Sequence, residues 1–472
     1  MDYDIIIIGS GPGGYAAAIR ASQLKMRAAV VEKAELGGIC LNWGCIPTKS
    51  LLKSAQVYEY LTHASDYGIS VSGNVKPDFS AIIARSRSVA EGMNKGVQFL
   101  FRKNNITHLK GHGRLVSANT VEVHDADGVK KNYTANNIIL ATGARSKELA
   151  NLKQDGKKII GYREAMTLKE LPQSMVVVGS GAIGSEFAAF YQTLGTDVTL
   201  VELFPNILPN EDVEVSRQIE RSFKKMKMKI LTDSSVEYVD TSEEKCKVAV
   251  KTPAEVKIIE SDIVLSAIGV TANIEDVGLE KVNVKTEKGK IIVDDFYQTN
   301  IAGIYAIGDI VHGPALAHVA SAEGIICVEK IAGLAVEPLN YGNIPVCVYT
   351  NPEIASVGLT EVAAIEAGYE IKIGKFSFTA SGKACASGAK DGFVKLIFDN
   401  KNEKLLGAHM IGSNVTEMIA EIVIARKSGI TAHEIMKSVH PHPTMSEAIM
   451  EAAAAVCNEV AEKPATVQRT IK

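Results

Sequence analysis

Two cysteines, Cys40 and Cys45, stand within the stretch Gly37-Gly38-Ile39-Cys40-Leu41-Asn42-Trp43-Gly44-Cys45-Ile46-Pro47-Thr48-Lys49. Thiols this close form a small ring when oxidised, and a small ring suits redox chemistry better than stapling. A structural disulfide stabilises by closing a long loop, roughly 3 kcal/mol for about fifteen residues, and a ring of a few residues restrains the unfolded chain far less. Spacing leaves two other readings open: part of a zinc site, or two inert buried cysteines. Zinc asks for four ligands, commonly as two close pairs, whereas Cys246, Cys327, Cys347, Cys385 and Cys457 stand singly. A redox-active dithiol is the expectation.

The thiols follow closely on a strand, turn and helix at the N-terminus. Ile5-Ile6-Ile7-Ile8 reads as a buried parallel strand, and Gly9-Ser10-Gly11-Pro12-Gly13-Gly14 opens a helical pattern from Tyr15 to Leu24. Gly9 permits the tight turn, Gly11 lets the backbone approach a pyrophosphate over the helix N-terminus, and Gly14 lets helix pack on strand. Glu32 ends the next strand, Ala28 to Val31, about twenty residues on, where a carboxylate accepts hydrogen bonds from ribose hydroxyls. The unit recurs at Met175 to Val178, with Gly179, Gly181 and Gly184, a helix through Leu194, and the strand Asp197 to Val201 ending in Glu202. Two such units predict two nucleotides, and with a dithiol beside the first the simplest pairing is a flavin in one and a nicotinamide in the other. A carboxylate at 202 accepts a free 2′-hydroxyl and repels a 2′-phosphate, which predicts NAD rather than NADP. Leu203-Phe204-Pro205 supplies no arginine to hold a phosphate.

Thiol–disulfide exchange runs through a thiolate, so a substrate dithiol of ordinary pKa needs a base near neutrality. The chain has ten histidines, and a lone histidine is most often a surface or satisfied core residue. His442 has a better setting, in His440-Pro441-His442-Pro443-Thr444-Met445-Ser446-Glu447, where a nearby carboxylate, Glu447, can hold the imidazole tautomer.

Both fingerprints, the CxxxxC segment ending in Pro47 and Lys49, Ala141-Thr142-Gly143, Ala306-Ile307-Gly308-Asp309 and the His440 to Glu447 segment span the whole chain. In this order they make it resemble the pyridine nucleotide-disulfide oxidoreductases, and within them the lipoamide-oxidising branch that serves 2-oxoacid dehydrogenase complexes and glycine cleavage. The resemblance implies an α/β fold with two Rossmann-like nucleotide-binding domains, for FAD and NAD, and a C-terminal α+β dimerisation domain. The FAD domain would comprise residues 1–144 and 271–343, the NAD domain 145–270 and the interface domain 344–472. Cys40 and Cys45 would be the redox disulfide, His442 and Glu447 the acid–base dyad with His440 structural, and Lys49 and Glu186 an ion pair beside the flavin. Further FAD contacts would fall at Gly38, Lys49, Gly113, Thr142, Gly143, Asp309, Ala315, Leu316, Ala317 and His318, and further NAD contacts at Val236 and Gly269. One departure stands out: Val270-Thr271-Ala272-Asn273 follows Gly269 where many relatives carry an arginine and a proline.

The implied reaction oxidises protein-bound dihydrolipoamide and reduces NAD to NADH. The implied partners are a second copy, supplying His442 in a homodimer, and lipoyl domains on the E2 core of a 2-oxoacid dehydrogenase complex or the glycine-cleavage H protein. Glutathione-type reductases share the scaffold but usually take NADP through basic residues where this chain has Glu202. Mercuric reductase and high-molecular-weight thioredoxin reductase need a C-terminal cysteine pair, absent from Asn458 to Lys472, and soluble transhydrogenase lacks the dithiol. A nucleotide-binding scaffold with an idle redox site is the reading from a different class.

Composition agrees with a multidomain enzyme of 472 residues. A net charge of −3 gives no electrostatic case for nucleic acid, and Lys224-Lys225-Met226-Lys227-Met228-Lys229 is expected to form a solvated helix face. No apolar run approaches the roughly 18 residues of a membrane span, and no secretory leader is expected ahead of the first strand. Five cysteines outside the pair suit a reducing compartment, so the cytoplasm is expected, or an organellar matrix after removal of a transit peptide. Beyond Ile344, strands are expected at Phe376-Ser377-Phe378 and Phe393 to Phe398 and helices at Thr416 to Lys427 and Ser446 to Val460, together making a mixed sheet backed by helices.

Overall fold

Strands buried on both faces read as unbroken apolar runs, and the N-terminal isoleucines form one. In the computed structural model, which describes residues 1–457 and the backbone of Thr466–Ile471, the strand Tyr3–Ile8 lies parallel between Ala28–Glu32 and Lys130–Leu140. Ile5, Ile6 and Ile7 are fully buried there. Thr107–Lys110 extends the sheet beyond Ala28–Glu32, and Ile304–Ala306 pairs parallel with Ile138 to Leu140. The N-terminal half of the 11-residue strand Lys130–Leu140 instead joins an antiparallel meander with Thr120–His124 and His112–Ser117. The first helix is Pro12–Gln23, starting earlier than periodicity suggests because Pro12, with φ preset and no N–H to lose, occupies its first turn. It packs on Ala317–Ile331 so tightly that a Cβ on Gly324 would lie 2.7 Å from the Gly13 carbonyl oxygen.

A second parallel sheet repeats the plan, with Ser174–Val178 flanked by Asp197–Val201 and Ile263–Ser266, and Lys229–Leu231 and Ile159–Ile160 outermost. A three-stranded antiparallel layer, Ser235–Asp240, Cys246–Lys251 and Val256–Ser261, adjoins it. The chain leaves the first unit and re-enters it through one two-stranded ribbon, Ala144–Ser146 antiparallel to Val270–Ala272.

The C-terminal sheet orders Val346–Val348, Glu353–Gly358, Leu405–Gly412, Phe393–Asp399, Ile371–Ser377 and Thr466–Ile471. Every pairing in it is antiparallel, which corrects the expected mixed sheet: the connection from Phe393–Asp399 to Leu405–Gly412 is a short hairpin, and parallel neighbours need a long crossover. Helices Val415–Ser428 and Glu447–Val456 back this sheet through Met418, Ile419, Ile422, Ile449 and Ala452. The part of the expected Ser446 to Val460 helix beyond residue 457 lies outside the described residues. The lysine-rich run is not one helix face. Lys224 and Lys225 end the helix Val213–Lys225, Lys227 turns the chain at φ 65°, Met228 is buried and Lys229 opens a strand.

A fully buried lysine ties the second unit to the C-terminal sheet. Lys395 Nζ, from Phe393–Asp399, donates to both oxygens of Asp212 at 3.0 and 2.9 Å and to Glu361 at 2.7 Å, and pairs with Glu214 at 3.0 Å. Asp212 also caps the helix Val213–Lys225 by accepting from Glu214 N–H at 3.0 Å.

Candidate active site

The dithiol lies where two helices meet. Cys40 sits in the short helix Gly38–Trp43, Gly44 breaks the backbone, and Cys45 opens the 18-residue helix Cys45–Thr62. The two are disulfide-bonded with Cα atoms 4.7 Å apart. Cys45 stands at the N-terminus of its helix, whose dipole favours its thiolate once the disulfide opens. Gly38 brings this segment against the first fingerprint: at φ 62°, a Cβ there would stand 2.6 Å from the Gly11 Cα. Trp43 holds the far side, with Arg87 and Arg163 on its ring at 4.7 and 5.2 Å.

One helical turn beyond Cys45, Lys49 Nζ reaches Glu186 Oε1 and Oε2 at 3.0 and 2.8 Å. Glu186 comes from Ala182–Leu194, the helix of the second fingerprint, so this pair bridges the two nucleotide units beside the disulfide. Its carboxylate is buried and also accepts from Tyr349 N–H at 3.0 Å, while Lys49 lies over the Tyr349 ring at 4.3 Å.

The fingerprints are built alike. Gly9 and Gly179 adopt φ of 106° and 97°, and a Cβ would collide with the carbonyl oxygens of Ala141 and Ala267 at 2.2 and 2.6 Å. Gly14 and Gly184 lie behind the turn, each with the carbonyl oxygen of its first glycine where a Cβ would go, at 2.0 and 1.9 Å. Glu32 Oε2 accepts from Ser10 N–H and Oγ–H at 3.0 and 2.7 Å, and Glu202 Oε2 from Ser180 N–H and Oγ–H at 2.8 and 2.5 Å.

A continuous cavity of about 1810 Å³ runs between the units. Cys40, Cys45, Lys49 and Glu186 line it, as do all the expected nucleotide contacts except Gly14 and Gly184. Bare backbone at two helix N-termini, a carboxylate at the end of each following strand and a cavity of this length fit two dinucleotides. At the wall formed by the first unit Asp309 sits in the turn Gly308–Ile310, where burial raises its carboxyl above the usual range against the pull of Lys290. Cys347 also lines the cavity, and burial pushes its thiol up to about 11, which keeps it protonated and unreactive.

His442 and Glu447 do not line the cavity. They sit together at the start of Glu447–Val456, with His442 Nδ1 2.8 Å from Glu447 Oε1 and Thr444 N–H donating to Glu447 Oε2 at 2.8 Å. The His442 side chain is 75% exposed, and among the described residues its Nε2 has no protein partner. His440 differs in each respect: 8% exposed, with Nε2 on Glu421 at 2.9 Å and Nδ1 on the Ser438 carbonyl at 2.8 Å, its pKa raised by the Glu421 hydrogen bond. A ring with both nitrogens engaged is poorly placed to collect a substrate proton.

Sequence reasoning missed Glu323 and Tyr341. Glu323 Oε2 accepts from Gly308 N–H at 2.6 Å and Oε1 from Tyr341 Oη–H at 2.6 Å, fixing the turn that carries Asp309. Burial pushes Glu323 up to about 7. The helix Ala317–Ile331 also carries Glu329 and Lys330, so nothing in its sequence singled Glu323 out. Among the described residues no group of side chains could hold a metal ion, and no helix is long and apolar enough to cross a membrane.

The chain resembles known proteins along nearly its whole length. The family described as pyridine nucleotide-disulphide oxidoreductase matches residues 3–324, and its dimerisation domain matches residues 344–453. Dihydrolipoyl dehydrogenase of Rhizobium etli is 48% identical over 466 residues, 95% of this chain and 97% of that protein. That of Zymomonas mobilis is 48% identical over 458 residues, 96% of this chain and 97% of that protein. Of solved structures, LpdA from Mycobacterium tuberculosis matches with a TM-score of 0.89 at 26% identity over 95% of this chain and 98% of that one. The flavoprotein disulfide reductase RclA from Escherichia coli, at 24% identity, shares the fold with a TM-score of 0.87 over 97% of this chain and 100% of that one. A disulfide at a helix start between two dinucleotide cradles, matched along nearly the whole chain, places this protein in the pyridine nucleotide-disulphide oxidoreductase family.

Proposed function

We propose that the chain oxidises protein-bound dihydrolipoamide to lipoamide and reduces NAD to NADH, the reaction of a dihydrolipoyl dehydrogenase, through Cys40, Cys45 and the His442–Glu447 dyad. The observation that carries this is the Cys40–Cys45 disulfide opening onto the cavity beside the Lys49–Glu186 pair. The cofactors are FAD and NAD, and the protein is a homodimer. Residues 1–144 with 271–343 hold FAD, 145–270 hold NAD, and 344–472 form the interface. Each His442 serves the disulfide of the partner protomer, which its exposure and its distance from its own cavity lining support.

In the dithiol half-reaction His442 takes a proton from one substrate thiol. The resulting thiolate attacks Cys40 Sγ, the Cys40–Cys45 bond breaks, and its electron pair leaves on Cys45, where the helix N-terminus stabilises the charge. The second substrate thiol attacks the substrate sulfur bound to Cys40, its proton passing to the departing Cys40 sulfur. Lipoamide leaves, with Cys40 a thiol, Cys45 a thiolate and the first proton on His442. Glu447 holds the imidazole so that Nε2 faces the thiol. Bound FAD and NAD supply the two-electron chemistry that returns the dithiol to the disulfide. The bare backbones at Gly9, Gly11 and Gly179, Gly181 seat the pyrophosphates, with Glu32 and Glu202 on the riboses. Lys49, paired with Glu186, holds positive charge near the flavin, and Asp309 with Ala315 to His318 lines its seat. Lipoyl domains of an E2 core or a glycine-cleavage H protein are the physiological substrates, in the cytoplasm.

Anaerobic addition of dihydrolipoamide followed by NAD is expected to form NADH. Cys45→Ser keeps FAD and loses this turnover. NADPH-driven reduction of glutathione disulfide in place of the lipoamide reaction would overturn the substrate.

A further inference from the structure

The residue between the first two glycines is serine in both fingerprints, and both serines are fully buried. Their hydrogen bonds correspond one for one. Ser10 Oγ–H donates to Glu32 Oε2 at 2.7 Å, and Ser10 Oγ accepts from Gly37 N–H, in the loop after Glu32, at 3.3 Å. Ser180 Oγ–H donates to Glu202 Oε2 at 2.5 Å, and Ser180 Oγ accepts from Leu208 N–H, in the loop after Glu202, at 3.0 Å. The remaining carboxylate oxygen is engaged alike, by Ala34 N–H on Glu32 Oε1 at 2.9 Å and by Phe204 N–H on Glu202 Oε1 at 3.0 Å.

A carboxylate offers about four acceptor positions. At each acid two are taken on Oε2, by the serine N–H and Oγ–H, and one on Oε1, by the loop. One position remains, on Oε1. Each acid is therefore presented with its rotamer locked and one acceptor open, while the same hydroxyl pins the loop that walls the cavity.

We infer that Ser10 and Ser180 are positioning residues that orient Glu32 and Glu202 toward a single ribose hydroxyl, and that Ser180 thereby sharpens the preference for NAD over NADP. This rests on the reading of Glu202 as the ribose acid. Losing Ser180 Oγ frees an Oε2 acceptor, lets the carboxylate turn and releases the Leu208 N–H. Hydrogen bonds to charged groups of about 1.5–3 kcal/mol translate into roughly ten- to hundred-fold weaker NAD binding.

The experiment is calorimetric titration of the FAD-loaded dimer with NAD and with NADP, alongside steady-state kinetics. Ser180→Ala is expected to raise the NAD dissociation constant roughly tenfold or more and to narrow the NAD/NADP ratio, with the loss falling on KM for NAD rather than on kcat. Ser180→Cys, similar in size with a far weaker donor, is expected to give the same loss with packing retained, and Ser180→Thr to restore binding. In a Glu202→Gln background Ser180→Ala is expected to add little. Wild-type NAD affinity in Ser180→Ala and Ser180→Cys, with Glu202→Gln impaired, would overturn the serine's role alone. An unimpaired Glu202→Gln would overturn the ribose reading and the inference with it. Equal fold-losses from Ser180→Ala in both backgrounds would reduce the serine to a packing residue.

Discussion

Replacing Glu447 by glutamine isolates the orienting carboxylate from the base it orients. In the structure its two oxygens do two jobs, Oε1 on His442 Nδ1 and Oε2 accepting from Thr444 N–H, both at 2.8 Å. A carboxamide has one acceptor oxygen, so Glu447→Gln can no longer accept from both His442 Nδ1–H and Thr444 N–H. Hydrogen bonds to charged groups contribute about 1.5–3 kcal/mol, whereas exposed ion pairs contribute about 0.2–1 kcal/mol. With His442 75% exposed and Glu447 23% exposed, a value between these ranges applies, about 1–2 kcal/mol. That is a roughly five- to thirty-fold slower dithiol half-reaction at 1.4 kcal/mol per decade. His442→Gln removes the base itself and is expected to cost roughly two to four orders of magnitude. The assay is anaerobic stopped-flow reduction of the disulfide by dihydrolipoamide, with reduction of the same enzyme by NADH as the control, because the dyad lies outside the cavity and that half does not draw on it. In the double variant the Glu447 effect is expected to vanish, since it acts only through the imidazole. The reasoning fails if the two losses multiply in the double variant, or if NADH-driven reduction slows as much as the dithiol half.

Lys395→Met strands Asp212, Glu214 and Glu361 without their shared cation and is expected to cost about 3–5 kcal/mol, read as a lowered thermal midpoint; an unchanged midpoint would mean that the cluster contributes nothing net. Glu211, whose Oε2 is sealed from water and has no hydrogen-bond partner among the described residues, is pushed by burial up to about 7 from an unfolded value of 4.5. The fold therefore holds this proton more tightly than the unfolded chain, and the associated stability, roughly 3 kcal/mol at most, is present below pH 4.5 and lost as pH rises through about 7. Glu211→Gln is expected to flatten the fall in thermal midpoint between about pH 5 and about pH 8, and a slope identical to that of the parent would refute the assignment.

The features that could be read along the chain are those whose constraint is local. A glycine that must turn at positive φ, as at Gly9 and Gly179, and a strand that ends in an acid mark themselves over a few residues. The partnership of Lys49 with Glu186 does not, since the two stand 137 residues apart, and only likeness to a family pointed to it. Lys395 was invisible for a different reason. In Phe393 to Phe398 the alternation places a lysine where a solvent-facing residue belongs, yet it is fully buried because Asp212, Glu214 and Glu361 converge on it from the second unit and the C-terminal domain. Glu323 likewise reads as one more polar residue on a helix that also carries Glu329 and Lys330, until Gly308 and Tyr341 are seen around it. The lysine-rich run misled because charge pattern reports solvent contact, not where a helix stops, and Lys227 at φ 65° stops it. His440 and His442 share a motif but not an environment; burial separates the engaged ring from the open one.

The ribbon of Ala144–Ser146 and Val270–Ala272 has a consequence for how the molecule assembles. The strand Ile304–Ala306, which completes the first sheet beside Ile138 to Leu140, arrives only after the chain has travelled through the whole second unit. Joining ends across so long an unstructured excursion carries a loop-closure entropy that grows with the logarithm of its length. Once the excursion has folded with its two ends already side by side, the connection behaves as a hairpin, and Asn273 N–H lies 2.8 Å from the Gly143 carbonyl oxygen to seal it. Topology thus favours a sequence of events in which the inserted unit becomes compact before its host can close, so a fault in the insert delays completion of a sheet that shares none of its strands.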